Sequence, residues 1–174
     1  HLSALGVDKA IDSNYAKSKL EGEKRILKNF PLSTILRPSV VFSVEDSFTC
    51  NFMSLLNRLP IFPLYYGGQT RFMPIFAGDL TDIIYNITSK KSDTQIIECV
   101  GPETITLKEI IEKLLKLIDK KRLIVPMPLF LGKLTAQFFQ YFPKPLLTPD
   151  QLRLLQYDNV TSNQYKTNID IGLP

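Results

Sequence analysis

The fold is decided by residues 13–42, which read SNYAKSKLEGEKRILKNFPLSTILRPSVVF. Residues 13–29 space their apolar side chains three and four apart among many charges, which predicts a helix with one buried face. Residues 32–42 are rich in strand-forming residues and carry one charge, at Arg37. Such a run is typical of a strand that is buried on both faces in a parallel sheet.

The remainder of the chain continues this alternation of strands and helices. Residues 1–6 read as the end of a strand that runs into a loop. Downstream we predict a helix over 52–59, extended chain over 63–76, a helix capped by Asp79, a strand over 96–100, a helix opened by a Thr106–Glu109 capping box, a strand over 123–125, and helices over 129–142 and 149–157. The alternation predicts an α/β fold with a mainly parallel sheet.

Composition and charge exclude several classes of protein. The net charge of +4 is spread along the 174 residues without a long basic run, so we expect no nucleic-acid partner. A weak attraction to an anionic membrane surface stays open. Cys50 and Cys99 lack metal-ligand spacing, so we expect reduced thiols and no metal site. With no 18-residue apolar run, we expect a protein that is not secreted and does not span a membrane.

Three residues near the start of the chain could carry proton chemistry. Tyr15 and Lys19 are four apart on the predicted helix and so share a face. An ammonium group beside a phenol favours the phenolate and lowers the phenol pKa, which would make Tyr15 an acid or base near neutral pH. Ser3, at the end of the preceding strand, could bond a substrate carbonyl oxygen. The Tyr–Lys spacing alone is expected by chance and would then be a surface contact.

The context of these residues resembles a known family. Ser3, the Tyr15–Lys19 pair with Gly22 and Glu23, and residues 35–42 (ILRPSVVF) resemble the extended short-chain dehydrogenase/reductases, which include NAD-dependent epimerases and dehydratases. The later segments 67–71, 77–80 and 100–103 match as well, so the resemblance covers nearly the whole chain. Residues 1–6, 37–42, 45–48 and 126–130 resemble the atypical subgroup that contains the NAD(P)H-binding accessory subunit of respiratory complex I (NADH-ubiquinone oxidoreductase).

This resemblance implies a fold and a division of the chain. The fold would be an incomplete Rossmann-like (doubly wound, mainly parallel) sheet plus a small α/β C-terminal subdomain. Residues 1–174 would form the C-terminal portion of an extended short-chain dehydrogenase/reductase. Residues 1–45 would hold the end of the dinucleotide-binding fold with the active-site helix. Residues 46–174 would be mostly the substrate or C-terminal subdomain, with interleaved Rossmann elements.

The resemblance also implies roles for single residues, with NAD or NADP as cofactor. Tyr15 would be the general acid or base, Lys19 would hold the nicotinamide ribose, and Ser3 would orient the carbonyl. A loop of four residues would lie beside the nicotinamide and offer it backbone groups: Pro38, Ser39, Val40 and Val41. Arg71 matches a position that meets substrate phosphate in nucleotide-sugar relatives; the alternative is a solvated turn arginine.

Two departures from the family pattern limit what this chain can do alone. Ser43 stands where the family usually has glycine. More severely, none of the eight glycines forms the Gly-rich turn that holds the pyrophosphate. We therefore expect the chain to need an N-terminal half for dinucleotide binding and to be inactive by itself. Without that half, the strand through Leu36 would expose an apolar edge, which favours partner dependence or aggregation.

Three functions are consistent with these residues. The first is an NAD(P)-binding, reductase-like protein. The second is a non-catalytic subunit that assembles or stabilises a respiratory membrane complex, and the third is an inactive gene remnant. Phe130, Leu134, Phe138 and Phe142 recur every four residues, which predicts an amphipathic helix that either covers the C-terminal subdomain or docks on a membrane complex. We expect a cytoplasmic or matrix-type compartment, or the periphery of the inner membrane.

Overall fold

The deciding stretch folds as one helix followed by two strands. In the computed structural model, which describes residues 1–89, 96–128, 130–132 and 148–174, helix α1 spans Asn14–Asn29 and Ser13 caps its N-terminus. The strand predicted over 32–42 is two strands, β1 (Ile35–Pro38) and β2 (Val41–Phe42). The prediction of a single strand was wrong because the chain changes its pairing partner between Pro38 and Val41.

The other elements follow the predicted alternation of strands and helices. In chain order they are α2 (Ser47–Arg58), β3 (Ile61–Tyr65), a 3-10 turn (Tyr66–Gly68), β4 (Arg71–Phe72), β5 (Ile75–Phe76), α3 (Ala77–Ser89), β6 (Ile96–Cys99), β7 (Ile105–Thr106), α4 (Leu107–Leu117), β8 (Leu123–Met127), α5 (Pro149–Leu154), β9 (Lys166–Thr167) and a 3-10 turn (Ile169–Ile171). β1 pairs with β6, β2 with β5, β3 with β8 and β6 with β9, all parallel, and only β4 and β7 among the described strands pair antiparallel. The α/β fold with mainly parallel pairing is confirmed.

Residues 1–5 add a further parallel segment to the main sheet, on the free side of β1. The amide of Ser3 donates to the carbonyl of Leu36 at 2.7 Å, and the amide of Leu5 donates to that of Pro38 at 2.9 Å. Leu36 is therefore buried between this segment and β6. Our prediction that the strand through Leu36 forms the exposed edge was wrong, because residues 1–5 occupy that position.

Two apolar clusters hold the layers together. One joins the main sheet to α3 through Leu36, Ile75, Ile83 and Ile97. The other packs α2, β3 and β4 against the buried face of α4. Its side chains are Leu56 of α2, Phe62 and Leu64 of β3, Phe72 of β4, and Ile110, Ile111, Leu114 and Leu115 of α4. Burying such side chains is the main stabilising term for a domain of this size. Both bonds of the Thr106–Glu109 capping box are present, so that prediction is confirmed.

Several predicted helix boundaries were wrong for local reasons. α2 begins before residue 52 because Asp46 caps it, accepting the amide of Thr49 at 2.7 Å. α3 begins at Ala77, so Asp79 lies inside the first turn, where it complements the helix dipole, and is not the cap. The last helix ends at Leu154, before the predicted residue 157. The Phe-rich helix predicted over 129–142 lies largely outside the described residues.

Candidate functional site

Tyr15 and Lys19 lie on one face of α1, as their spacing predicts. The Lys19 ammonium is 5.8 Å from the centroid of the Tyr15 ring. The same ammonium donates to the carbonyl oxygen of Leu2 at 3.5 Å. Because Leu2 directly precedes Ser3, Lys19 links the helix that carries Tyr15 to the strand segment that carries Ser3. The structure thus brings the three predicted site residues into one region.

The Ser3 side chain is buried without a hydrogen-bond partner. Its residue is 4% exposed, and Oγ is the one buried side-chain polar atom in the described part of the chain that has no partner. A buried hydroxyl without a partner is costly, and such groups in folded proteins call for an explanation. A hydroxyl kept free for the oxygen of a ligand is an explanation that matches the role predicted for Ser3.

Tyr15 is 46% exposed, and partial burial raises the pKa of its phenol because the phenolate would lose solvation. We predicted the opposite direction, a lowering by Lys19, and that prediction was wrong for the chain in this state. The physical reason is that burial disfavours the phenolate, and no lowering of the pKa by Lys19 offsets that effect. Tyr15 therefore holds its proton at neutral pH, and it can act as an acid more readily than as a base.

The backbone of the loop over residues 38–41 is largely bonded within the chain. The amide of Ser39 donates to the carbonyl of Cys99 at 2.9 Å, and the amide of Val40 donates to Asn159 Oδ1 at 3.1 Å. The carbonyls of Pro38 and Val40 each accept one amide, from Leu5 and Ile75. The Ser39 and Val40 amides are thus not available to a nicotinamide carboxamide, whereas a carbonyl oxygen keeps a second lone pair.

Arg71 is paired with a carboxylate. Its Nη2 and Nε donate to Asp158 Oδ2 at 2.7 and 3.0 Å, and its backbone amide donates to Oδ1 at 2.8 Å. The side chain of Arg71 is 57% exposed. Its charge is already neutralised, so the geometry agrees better with the alternative of a turn arginine than with a substrate-phosphate contact.

Two residues that meet the site were not found from the sequence. Asp150 accepts hydrogen bonds from the first turn of α1, including the amide of Tyr15 at 3.0 Å. Asn159 bonds the loop over residues 38–41 and the carbonyl of Leu5. A capping box formed by Thr148 and Gln151 was a signal for the start of α5. Nothing in the sequence indicated which distant segment α5 would contact.

A nicotinamide dinucleotide, the cofactor implied by the resemblance, fits these residues in part. The free Ser3 hydroxyl, the half-exposed Tyr15 phenol and the Lys19 ammonium suit its nicotinamide ribose end. They do not provide for its pyrophosphate. Helix N-terminal amides are of the kind that binds phosphate, but the Asn14 and Tyr15 amides at the start of α1 already donate to the Asp150 carboxylate.

Comparison with curated proteins gives relatives among the mitochondrial NADH dehydrogenase subunits. No family model matches the chain. NADH dehydrogenase (ubiquinone) 1 alpha subcomplex subunit 9, mitochondrial, is 26% identical in Arabidopsis thaliana and 25% identical in Mus musculus, over 99% of this chain in both cases. The NADH-ubiquinone oxidoreductase 40 kDa subunit, mitochondrial, of Neurospora crassa is 25% identical over the same share. The chain spans 46% of the length of each of these relatives.

Solved structures that share this fold include nucleotide-sugar enzymes. An NAD-dependent NDP-hexosamine 5,6-dehydratase matches 99% of this chain and 56% of its own, with a TM-score of 0.64 and 14% identity. dTDP-glucose 4,6-dehydratase from Streptomyces venezuelae, solved with NAD bound, matches 74% of this chain and 47% of its own, with a TM-score of 0.57 and 19% identity.

Among the described residues, no helix is both long and apolar enough to cross a membrane. The fold, the order of the motifs and the relatives agree with one another. Homologues of this chain include subunit 9 proteins of the mitochondrial NADH dehydrogenase alpha subcomplex, and the chain shares the fold of solved NAD-dependent nucleotide-sugar dehydratases.

Proposed function

We propose that this chain is the nicotinamide-facing portion of an NAD(P)-binding, reductase-like protein, with its site at Ser3, Tyr15 and Lys19. The observation that carries the proposal is the buried Ser3 hydroxyl without a partner, next to a helix whose Lys19 reaches the Leu2 carbonyl. Structural neighbours solved with NAD or NADP support the choice of ligand class.

In such a site the three side chains have different roles: cofactor binding, substrate binding and proton transfer. Lys19 would donate hydrogen bonds to the hydroxyls of the nicotinamide ribose. Ser3 donates to the substrate oxygen, and Tyr15, whose pKa is raised by burial, gives that oxygen a proton. The dinucleotide, when bound, supplies the hydride. The backbone of residues 38–41, fixed by its internal bonds, provides a rigid wall beside the ring.

The division of the chain follows from the same proposal. Residues 1–45 would complete the dinucleotide-binding fold, and residues 46–174 would form mostly the C-terminal subdomain. The main sheet supports the interleaving, because β1 pairs with β6, and β6 with β9, from later parts of the chain. The second apolar cluster, around α4, supports a separate subdomain core.

Titration of the native protein, isolated from its source cells at whatever length it has there, tests the proposal. We expect NADH or NADPH to bind at one equivalent per chain. Lys19→Met should weaken binding about tenfold or more, because it removes charge-assisted bonds to the ribose. Lys17→Met is the matched control, since Lys17 is exposed on another face of α1. If Lys19→Met and Lys17→Met bind the dinucleotide with equal affinity, the proposed site at Ser3, Tyr15 and Lys19 is rejected.

A second function is supported by an observation that counts against substrate turnover. Arg71 is paired with Asp158 and is therefore not free to hold a substrate phosphate. Together with relatives that are NADH dehydrogenase subunits, this pairing supports a structural use of the nucleotide: stabilising a respiratory complex, at the periphery of the mitochondrial inner membrane. Binding of NADH without consumption of any tested carbonyl, and co-purification with that complex, would favour this function.

Turnover separates the two functions. Steady oxidation of NADH in the presence of a carbonyl compound, abolished by Tyr15→Phe and retained in Tyr85→Phe, would favour the enzyme. Tyr85 is an exposed residue of α3 and serves as the control. Absence of both nucleotide binding and a protein partner would leave the gene remnant as the remaining explanation.

A further inference from the structure

Residues 148–159, here named the C-terminal clamp, bond to the first turn of α1, to the loop over residues 38–41 and to Arg71. Asp150 bonds the first turn of α1, Asp158 bonds Arg71, and Asn159 bonds the loop over residues 38–41. None of these contacts is local, because the bonds from Asp150 to α1 span 135–137 positions of sequence. The clamp therefore joins the two ends of the chain at the site.

Asp150 fixes the turn of α1 that carries Tyr15. Its carboxylate accepts the Ser13 hydroxyl at 2.9 Å, the Asn14 amide at 2.9 Å and the Tyr15 amide at 3.0 Å. The first amides of a helix lack partners inside the helix, and an anion placed there also complements the helix dipole. Bonds of this charge-assisted kind are shorter and stronger than neutral ones. The backbone position of Tyr15 is thus set by a residue of α5.

Asn159 fixes the loop over residues 38–41 relative to the segment that carries Ser3. Its Oδ1 accepts the Ser39 hydroxyl at 2.6 Å and the Val40 amide at 3.1 Å, and its Nδ2 donates to the Leu5 carbonyl at 3.0 Å. One amide side chain therefore bonds both segments. Its backbone is held in turn by β4, since its amide donates to the Arg71 carbonyl at 2.8 Å.

Apolar contacts and one further bond hold the clamp against the region around α1. Leu154 and Tyr157 pack against the buried cluster of Val7, Ala10 and Ala16. The Tyr157 hydroxyl donates to Asp12 Oδ1 at 2.9 Å. Asp150 and Asn159 thus belong to a segment that is packed against the region around α1. This packing restricts the positions of the first turn of α1 and of the loop over residues 38–41.

We propose that the C-terminal clamp positions the nicotinamide site, with Asp150 setting Tyr15 and Asn159 setting the loop over residues 38–41 relative to Ser3. This inference rests on the proposed function. Asp150 and Asn159 are positioning residues, since each bonds to the segments that carry the site side chains and is not itself assigned a contact with the ligand.

The test measures NADH affinity of the native protein in Asp150→Asn and Asn159→Ala. We expect each to weaken binding about tenfold. Asp150→Asn loses the negative charge and one of the two acceptor oxygens that hold the first turn of α1, and Asn159→Ala loses every side-chain bond to the loop, so the site populates unproductive positions. Asp170→Asn is the matched control. Asp170 also accepts a backbone amide and a hydroxyl, both from Thr167, and it contacts no site segment. Its affinity should stay within about twofold of the unmodified protein.

Two measures separate a positioning role from a loss of stability: affinities are compared at a temperature at which every variant is folded, and a conservative variant is tested for partial recovery of affinity. Affinities are measured well below the thermal midpoint of each variant. The conservative variant Asn159→Asp keeps an acceptor oxygen for Ser39 and Val40 but replaces the Nδ2 donor to the Leu5 carbonyl with an oxygen, so it should recover only part of the affinity that Asn159→Ala loses. Hydrogen exchange at residues 13–20 should speed up in Asp150→Asn but not in Asp170→Asn. If Asp150→Asn does not fold, Asn159→Ala carries the test alone.

The outcomes distinguish this inference from the proposed function. Folded Asp150→Asn and Asn159→Ala proteins that bind NADH as tightly as the unmodified protein would overturn positioning and leave the nucleotide site intact. An unmodified protein that does not bind NADH would reject the proposed function. In that case hydrogen exchange alone tests the C-terminal clamp. If Asp150→Asn leaves the exchange rates at residues 13–20 unchanged, the positioning role of the clamp is overturned as well.

Discussion

Two arginines, Arg37 on β1 and Arg71 on β4, hold carboxylates in different surroundings. Arg37 donates from Nε and Nη2 to the two oxygens of Glu23 at 2.8 and 2.7 Å, and both side chains are 3% exposed. Arg71 donates from the same two nitrogens to a single oxygen of Asp158, at the surface. The residue types are alike, but one pair lies in the interior beneath α1 and the other faces water.

Burial decides what each pair contributes. Burial would lower the pKa of Arg37, but Glu23 and Asp8 outweigh that effect and raise it, so the guanidinium stays charged inside the protein. Removing one partner of such a pair leaves an isolated charge in the interior. An exposed pair regains water when it is broken, and it contributes little. Substitutions in the two pairs should therefore differ widely in their effects.

Arg37→Met should give the largest loss of stability. Glu23, which is buried, would lose its partner, and we expect the free energy of unfolding to fall by about 3–5 kcal/mol. The measurement is urea denaturation followed by circular dichroism. The double variant Glu23→Leu with Arg37→Met should recover much of the loss, because it removes both charges. A fall below about 1 kcal/mol would mean that water reaches Glu23.

Tyr165→Leu should weaken the same buried pair by a smaller amount. The Tyr165 ring centroid lies 4.9 Å from Arg37 Cζ, and a cation facing an aromatic ring is worth about 1 kcal/mol in a partly buried setting. In the Arg37→Met background the effect of Tyr165→Leu should shrink by about that amount, as a double-mutant cycle measures. The control is Tyr85→Leu, at an exposed position. Full additivity would argue against the contact.

The helices of this chain were predictable where their signals are local. The apolar spacing of residues 13–29 and the Thr106–Glu109 box both lie within the helices that they specify, and both predictions were confirmed. The division of residues 32–42 into β1 and β2 was not predictable. A run of apolar residues shows that a strand is buried, but it does not show which strand pairs with it.

The residues of the candidate site were also predictable only where their signals are local in sequence. Ser3, Tyr15 and Lys19 lie within the first nineteen positions, so their spacing and order could be interpreted directly. Asp150 and Asn159 could not be assigned, because their partners are more than a hundred positions away and depend on the tertiary packing. The raised pKa of Tyr15 was missed for a related reason: it depends on burial and on where the Lys19 ammonium points.

Arg71→Gln should have a small effect, which added salt should reduce further. Arg71 is exposed, and charges at the surface are screened when the ionic strength rises. We expect a slight decrease in the thermal midpoint at low salt, and no difference from the unmodified protein at about 1 M salt. NADH affinity should be unchanged, since Arg71 is paired with Asp158. A clear loss of affinity for a phosphate-bearing substrate would instead revive the predicted phosphate contact.

The smallest effect is the pH dependence of this exposed pair. Burial raises the pKa of Asp158, but bonds from the Arg71 side chain and amide outweigh it and hold the pKa below its usual value. Since the folded-state pKa is the lower one, the pair stabilises the fold above the unfolded pKa of about 4, and the contribution is lost as the pH falls through the folded value. The thermal midpoint of Asp158→Asn should therefore lie slightly below that of the unmodified protein at neutral pH. The two midpoints should converge in acid. A difference that persists unchanged in strong acid would show that the Asp158 carboxylate acts through its shape and not through its charge.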